Sequence, residues 1–182
     1  MAKLISSVYG DALFDLALEE GRVEETAEEI RACKDVFLQN KELFTLLNHP
    51  EILRKEKTDL MEEAFGGRVS DEILGFLCVI ITKDRQNEMV PIFDHFLRRV
   101  KRHEGIGEAV VISAVPLSGE QKASVRRRLL ETSRYREVEI DYRTEPALLG
   151  GMVIRMDDRV VDSSLKTQID TLRRELSEMP IS

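Results

Sequence analysis

Tryptophan is absent from the chain, and Phe and Tyr together supply only 5% of its residues. That scarcity removes the stacking platforms on which general nucleic-acid binders rely, so no nucleic-acid partner is expected. Cysteine is almost missing too. Cys33 and Cys78 each fall inside an apolar-periodic stretch and read as two buried thiols, which gives neither a disulfide framework nor a metal cage. The three histidines, His49, His95 and His103, are too scattered for a His-x-x-x-His metal pair and read as surface residues. No apolar run approaches the ~20 residues a spanning helix needs. The opening MAKLISSVYGDALFDLA also lacks the basic region, long apolar core and cleavage site of a secretory signal. The expectation is a soluble chain that stays where it is made, with no direct membrane insertion.

What is present is charge, at 34% of 182 residues, and it is unevenly spread. Residues 1–63 hold 8 Lys+Arg against 15 Asp+Glu, net −7, whereas residues 64–182 hold 19 of each, net 0. The acidity sits at the front, and the acidic run in 19–29 reads as a solvated helix face or a docking surface for a basic partner.

Apolar spacing along the front half is helical. Leu4, Val8, Ala12, Leu13, Leu16 and Ala17 predict a first helix over 4–20, capped by Ser6 or Ser7 and stopped at Gly21. Further helices are predicted over 23–37, 41–47 and 52–65, the last closed by Gly66-Gly67. Ser70-Asp71 opens a fifth, EILGFLCVIITK, whose centre from 73 to 81 has no charged residue, so it must be buried all round or lend one face to a partner. A sixth covers 87–102, with Arg98, Arg99, Lys101 and Arg102 at the end where cations suit the helix dipole.

At Gly105 the pattern changes. GIGEAVVISAVPLSG predicts a strand, 118–132 a helix boxed by Ser118 and Gln121, and the alternation in 138–143 a half-buried strand. Residues 148–156 and 159–161 flank Asp157-Asp158, a hairpin signal, and Ser163 or Ser164 caps a last helix to about 176. The order is strand, helix, strand, strand, strand, helix. The fold class is therefore α with a small α+β part: an N-terminal six-helix bundle over 1–104, then a C-terminal β-sheet and helix domain over 105–182.

Chemistry is hard to find in these elements. Gly150-Gly151 lacks the spacing and following helix of a phosphate loop. The pair reads instead as packing, a place inside a strand where a helix crosses close to the backbone. There is no Gly-x-Ser-x-Gly elbow. No catalytic residue, cofactor site or metal site is assigned.

The run LLGGMVIRMDDRVVDSSLKTQIDTL resembles the signature of the delta subunit family of the bacterial F-type ATP synthase, whose mitochondrial relative is the oligomycin-sensitivity-conferring protein. VYGDALFDLALEEG is similar to that family's first helix, and ITKDRQNEMVPIFDHFLRRV to its fifth-to-sixth helix junction. At Asp162-Ser163 many relatives have Asp-Gly, and a Ser cap does the same local job. Gly150, Gly151, Asp162 and Ser163 are taken as the structural signature.

The resemblance implies a non-catalytic stator subunit at the cytoplasmic face of the bacterial membrane. Its first domain would bind the N-terminal helix of an alpha subunit, and its second would bind the b subunits of the peripheral stalk. The head is thereby held against rotor torque, so proton flow drives ATP synthesis. Carried onto this chain, the alpha-binding groove falls on Tyr9, Ala12, Leu13 and Leu16 of the first helix and Ile73, Phe76, Val79 and Ile80 of the fifth, leaving Leu74, Leu77, Cys78 and Ile81 for the core. The reading from another class is an acidic helical adaptor or regulatory protein unrelated to ATP synthase.

Overall fold

A computed structural model describes residues 2–178 of the backbone and side chains over 4–173. The chain divides into two compact units, Met1–Lys101 and Arg102–Ser182. Among the described residues it is mostly helical, with eight α-helices and one four-stranded sheet near the C-terminus.

The first unit contains α1 (Ala2–Glu19), α2 (Val23–Gln39), α3 (Lys41–Leu47), α4 (Arg54–Phe65) and α5 (Asp71–Thr82). A 3-10 turn at Gln86–Glu88 follows, then α6 (Met89–His103), whose last two residues fall past the division. Local chemistry explains most boundaries. Gly21 takes φ 69° and closes α1, with Arg22 N–H donating to the Ala17 carbonyl at 2.9 Å. The α4 start is closed by Glu56, whose carboxylate accepts from Leu53 N–H at 3.1 Å. The caps expected at Ser6 and Ser7 do not form. Both lie inside α1, where the Ser7 hydroxyl bonds back to the Leu4 carbonyl and leaves the backbone ladder in charge.

The core of this unit is an aromatic and aliphatic cluster. Met89, Ile92, Phe93, Phe96 and Val100 of α6 are fully buried, spaced at three and four residues along one stripe. Phe93 packs against Phe37 with ring centres 6.0 Å apart, and Phe37 stacks on Phe65 at 5.8 Å. His95, expected at the surface, is half-buried. Its Nε2 lies 2.9 Å from the Asp11 carboxylate of α1, which Arg99 Nε also approaches at 3.0 Å. Gly10 makes this approach of α1 and α6 possible, since a Cβ there would meet His95 at 2.8 Å.

The second unit holds β1 (Ile106–Ser113), α7 (Gly119–Thr132), β2 (Glu137–Thr144), β3 (Met152–Met156), β4 (Arg159–Asp162) and α8 (Leu165–Glu178). The sheet order is β2-β1-β3-β4, with β1 parallel to β2 and the other pairs antiparallel. The parallel pair needs a crossover, and α7 supplies it. Its start carries the expected capping box: Ser118 N–H donates to Gln121 Oε1 at 2.9 Å and Gln121 N–H to Ser118 Oγ at 3.3 Å. Ala109, Val111 and Val138 on one face of the sheet pack with Val125 and Leu129 of α7 as a second small core. Asp157 takes the left-handed conformation at the β3-β4 turn, and its carboxylate accepts from Tyr135 Oη at 2.8 Å.

The strand expected over 148–156 begins only at Met152. Pro146–Leu148 forms a 3-10 turn, Leu149 takes φ 63° and Gly151 φ 72°, so the glycine pair precedes the strand instead of lying in it. Pro146 cannot donate to a ladder, and the two positive-φ residues turn the chain into β3.

Candidate partner-binding groove

Helices α1 and α5 meet at an aromatic contact. Tyr9 and Phe76 pack edge to face with ring centres 6.4 Å apart, and both are half-buried. Beside them on α1, Ala12 is exposed and Leu16 is 39% exposed; on α5, Val79 is 48% exposed. A shallow cleft continues along the junction toward Leu16, Glu72 and Arg22. These side chains leave apolar surface open on the two facing flanks, a strip of the kind that receives an amphipathic helix. Its rim is acidic: Asp15, Glu19, Asp71 and Glu72 are all exposed. Of these, Glu72 has Arg22 at 3.7 Å, within reach of the Glu25 and Glu29 carboxylates as well.

Three residues expected in the groove belong to the core. Leu13, Ile73 and Ile80 are 2%, 1% and 0% exposed. The reason is angular. At 100° per residue, positions 73, 76, 79 and 80 spread over about 120° of α5, so its inward members Ile73 and Ile80 share the buried stripe with Leu77 and Ile81. Conversely Leu74 and Cys78, expected inside, are half-buried on the opposite flank and only lean on the core. Of the expected residues, Tyr9, Ala12, Leu16, Phe76 and Val79 reach the surface, with Leu13, Ile73 and Ile80 in the core. On α1 the exposed Leu4 and Val8 extend the apolar surface. The sequence reading used them only to predict the helix; the regular four-residue step from 4 through 8 and 12 to 16 was the available signal that they share one face.

A second constellation surrounds the signature residues. The Leu165 N–H donates to the Gly150 carbonyl at 3.0 Å, and Leu165 covers Gly150 so closely that a Cβ there would lie 2.6 Å from its Cδ1. A Cβ on Gly151 would lie 2.2 Å from the Ser163 carbonyl oxygen. Ser163 donates from both its N–H and its hydroxyl to the Met152 carbonyl, at 3.0 and 2.9 Å. Asp162 accepts from Ser164 N–H at 2.9 Å and from Thr167 Oγ1 at 2.8 Å. Those bonds, with the Ser164 backbone bond foremost, hold its carboxyl below the usual Asp range. Gly150, Gly151, Asp162 and Ser163 therefore form a socket that fixes the start of α8. The expectation that the glycines are packing chemistry holds, and the crossing element is the α8 start.

A cavity larger than this cleft lies elsewhere, on α2, α3 and α4, lined by Cys33, Val36, Leu43, Leu46, Phe65 and Arg68 among others. Burial, then the Glu29 charge, pushes the Cys33 thiol up to about 12, which makes it inert. Cys78 is also free and also raised, first by burial, though it is half-buried instead of sealed. Among the described residues, no group of three or more His, Cys, Asp or Glu is placed to hold a metal ion, and no helix is long and apolar enough to cross a membrane.

A helical unit with apolar side chains exposed on α1 and α5 is joined in one chain to a small α+β unit whose last helix is braced at its start. The profile of the family described as "ATP synthase delta (OSCP) subunit" matches residues 5–176. The chain is 48% identical over 181 residues to the ATP synthase subunit delta of Lachnoclostridium phytofermentans, covering 100% of each. It is 34% identical over 178 residues to that of Halalkalibacterium halodurans, covering 98% of this chain and 97% of the other. A chain in the cryo-EM structure of the Toxoplasma gondii mitochondrial ATP synthase hexamer shares the fold, with a TM-score of 0.73 at 15% identity, over 97% of this chain and 98% of that one.

The chain belongs to the ATP synthase delta (OSCP) subunit family. It is a stator component of the F-type ATP synthase, in the peripheral stalk, and a non-catalytic, peripheral part of that membrane-bound complex. An adaptor unrelated to ATP synthase is not supported.

Proposed function

We propose that the first domain, the six-helix bundle over 1–104, seats the chain on the catalytic head by taking the N-terminal helix of an alpha subunit into the α1-α5 groove. The domain over 105–182 then joins the b subunits of the peripheral stalk. The complex lies at the cytoplasmic face of the bacterial membrane, and the chain carries no reaction and needs no cofactor. Its work is mechanical: it keeps the alpha-beta hexamer from turning with the rotor, so that ion flow is coupled to ATP synthesis.

The observation that carries this reading is the pair of half-open apolar flanks on either side of the Tyr9–Phe76 contact. An incoming helix that covers Leu16 and Val79, 39% and 48% exposed, and the half-buried Phe76 gains roughly half of the ~1.5–3 kcal/mol that burying a whole large side chain contributes, for each, before ordering costs. The acidic rim selects a helix with basic residues beside its apolar stripe. Val79→Asp tests the groove: Val79 faces solvent, so the domain stays folded by circular dichroism. An unpaired carboxylate placed under the alpha helix costs several kcal/mol, lowering affinity for an alpha N-terminal peptide about 100-fold or more in titration calorimetry. An affinity equal to that of the unaltered chain would sink the groove.

A further inference from the structure

The start of α5 is held from another helix. Ser70 precedes it in extended conformation, and its hydroxyl makes no capping bond to the α5 backbone. Instead Ser70 donates twice, from its N–H and from its hydroxyl, to one carboxylate oxygen of Glu29 on α2, each at 2.8 Å. Hydrogen bonds to an ionised acceptor are roughly twice as strong as neutral ones, and this carboxylate is half-buried. It also lies at the positive end of the α5 dipole, where an anion is favoured.

The same carboxylate is reached from the end of α1. Arg22, whose N–H closes α1 on the Ala17 carbonyl, brings its guanidinium to 2.8 Å from Glu25, 4.0 Å from the other oxygen of Glu29 and 3.7 Å from Glu72 in the first turn of α5. The contacts therefore run from α1 through Arg22, Glu29 and Ser70 into α5. Arg22, Ser70 and Glu72 line the cleft beside Leu16 and Ile73, whereas Glu29 stands behind it. Within the chain of contacts the Ser70 pair is short and shielded. The Arg22 contacts to Glu29 and Glu72 are long and partly open to water, so screening leaves them little.

Helix α5 has particular need of such an anchor. From 73 to 81 it has no charged side to turn outward, and apolar packing is non-directional, so hydrophobic pattern alone leaves its rotation loosely set. A directional polar contact sets it, in the way a single polar residue fixes register between packed helices.

We infer that Glu29 is the positioning residue of the α1-α5 docking site: by holding Ser70 it fixes the rotation of α5 that keeps Phe76 and Val79 turned outward. This rests on the proposed alpha-helix docking and adds which residue outside the contact surface keeps that surface in shape.

The test is titration calorimetry of the full-length chain against an alpha N-terminal peptide, at a temperature where circular dichroism shows every variant folded. Glu29→Ala removes the acceptor and is expected to lose about tenfold in affinity. Glu29→Gln keeps an oxygen within reach of both Ser70 donors and is expected to restore most of the binding. In amide NMR spectra of the free chain, Glu29→Ala is expected to shift Phe76 and Val79, well along α5 from Ser70, and Glu29→Gln to return them. A merely structural acceptor would lower the Tm of Glu29→Ala while leaving the affinity and the Phe76 and Val79 signals of the folded chain unchanged. That result overturns the inference and leaves the docking site standing. If the unaltered chain does not bind the peptide, or Val79→Asp binds it equally well, the docking reading falls and this inference falls with it.

Discussion

An alanine methyl placed on Gly75, in the middle of α5, would meet no atom within 4 Å, whereas one on Gly151 would run into the Ser163 carbonyl at 2.2 Å with φ already at 72°. The same substitution thus has opposite signs at the two positions. Gly75→Ala removes a helix-interior glycine at no steric cost and should raise stability by about 0.5–1 kcal/mol. Gly151→Ala forces both a left-handed alanine and a backbone clash and should cost more than about 1–3 kcal/mol. Urea denaturation of the two variants checks the signs, and a destabilising Gly75→Ala would mean that something in the unit already needs that gap. His95 gives the same lesson from the other direction. As a lone histidine in a helical run it carries no sequence mark of burial, because Asp11, its partner, lies 84 residues away.

For the elements, the α8 socket makes a pH prediction. Asp162 has its carboxyl held below the usual range by hydrogen bonds that the ionised form accepts more strongly than the protonated one. The folded state therefore binds this proton less readily than the unfolded chain. The contribution is complete above the ordinary Asp value of about 3.9 and fades as pH falls through the lower folded value. Hydrogen-exchange protection factors in the first turns of α8, taken relative to the intrinsic rate at each pH, should fall on acidification through that window, and Asp162→Asn should flatten the dependence. Protection that ignores pH there would remove Asp162 from the socket.

Elements of this kind were readable wherever a local interaction sets them. The bounds of α3, the Ser118-Gln121 box and the order of elements in the second unit all follow from residues within a few positions of one another. Faces were less readable. An apolar run such as ILGFLCVII has no polar side to show which way it points, so the inward turn of Ile73 and Ile80 depends on the packed neighbours and not on spacing. The glycine pair could be recognised as packing but not placed ahead of β3, since its turn is decided by contact with Ser163 and Leu165.

The whole molecule joins an acidic, helical front to a nearly charge-balanced α+β unit, and each unit leaves apolar side chains open: Leu16 and Val79 on α1 and α5, and Leu165, Ile169 and Leu172 on α8. Family membership was readable because three separated motifs, at the first helix, the fifth-to-sixth helix junction and the glycine signature, occur in one chain and in the right order. Their combination, more than any one of them, carried the stator role. As the proposed bridge, this chain must hold head and stalk at the same time. Sedimentation of the full chain mixed with the isolated catalytic head and the soluble b domain measures that directly. A bridge gives one species containing all three, split by Val79→Asp into free head plus a chain–stalk pair. Mutually exclusive binding, with the stalk domain displacing the chain from the head, would contradict it.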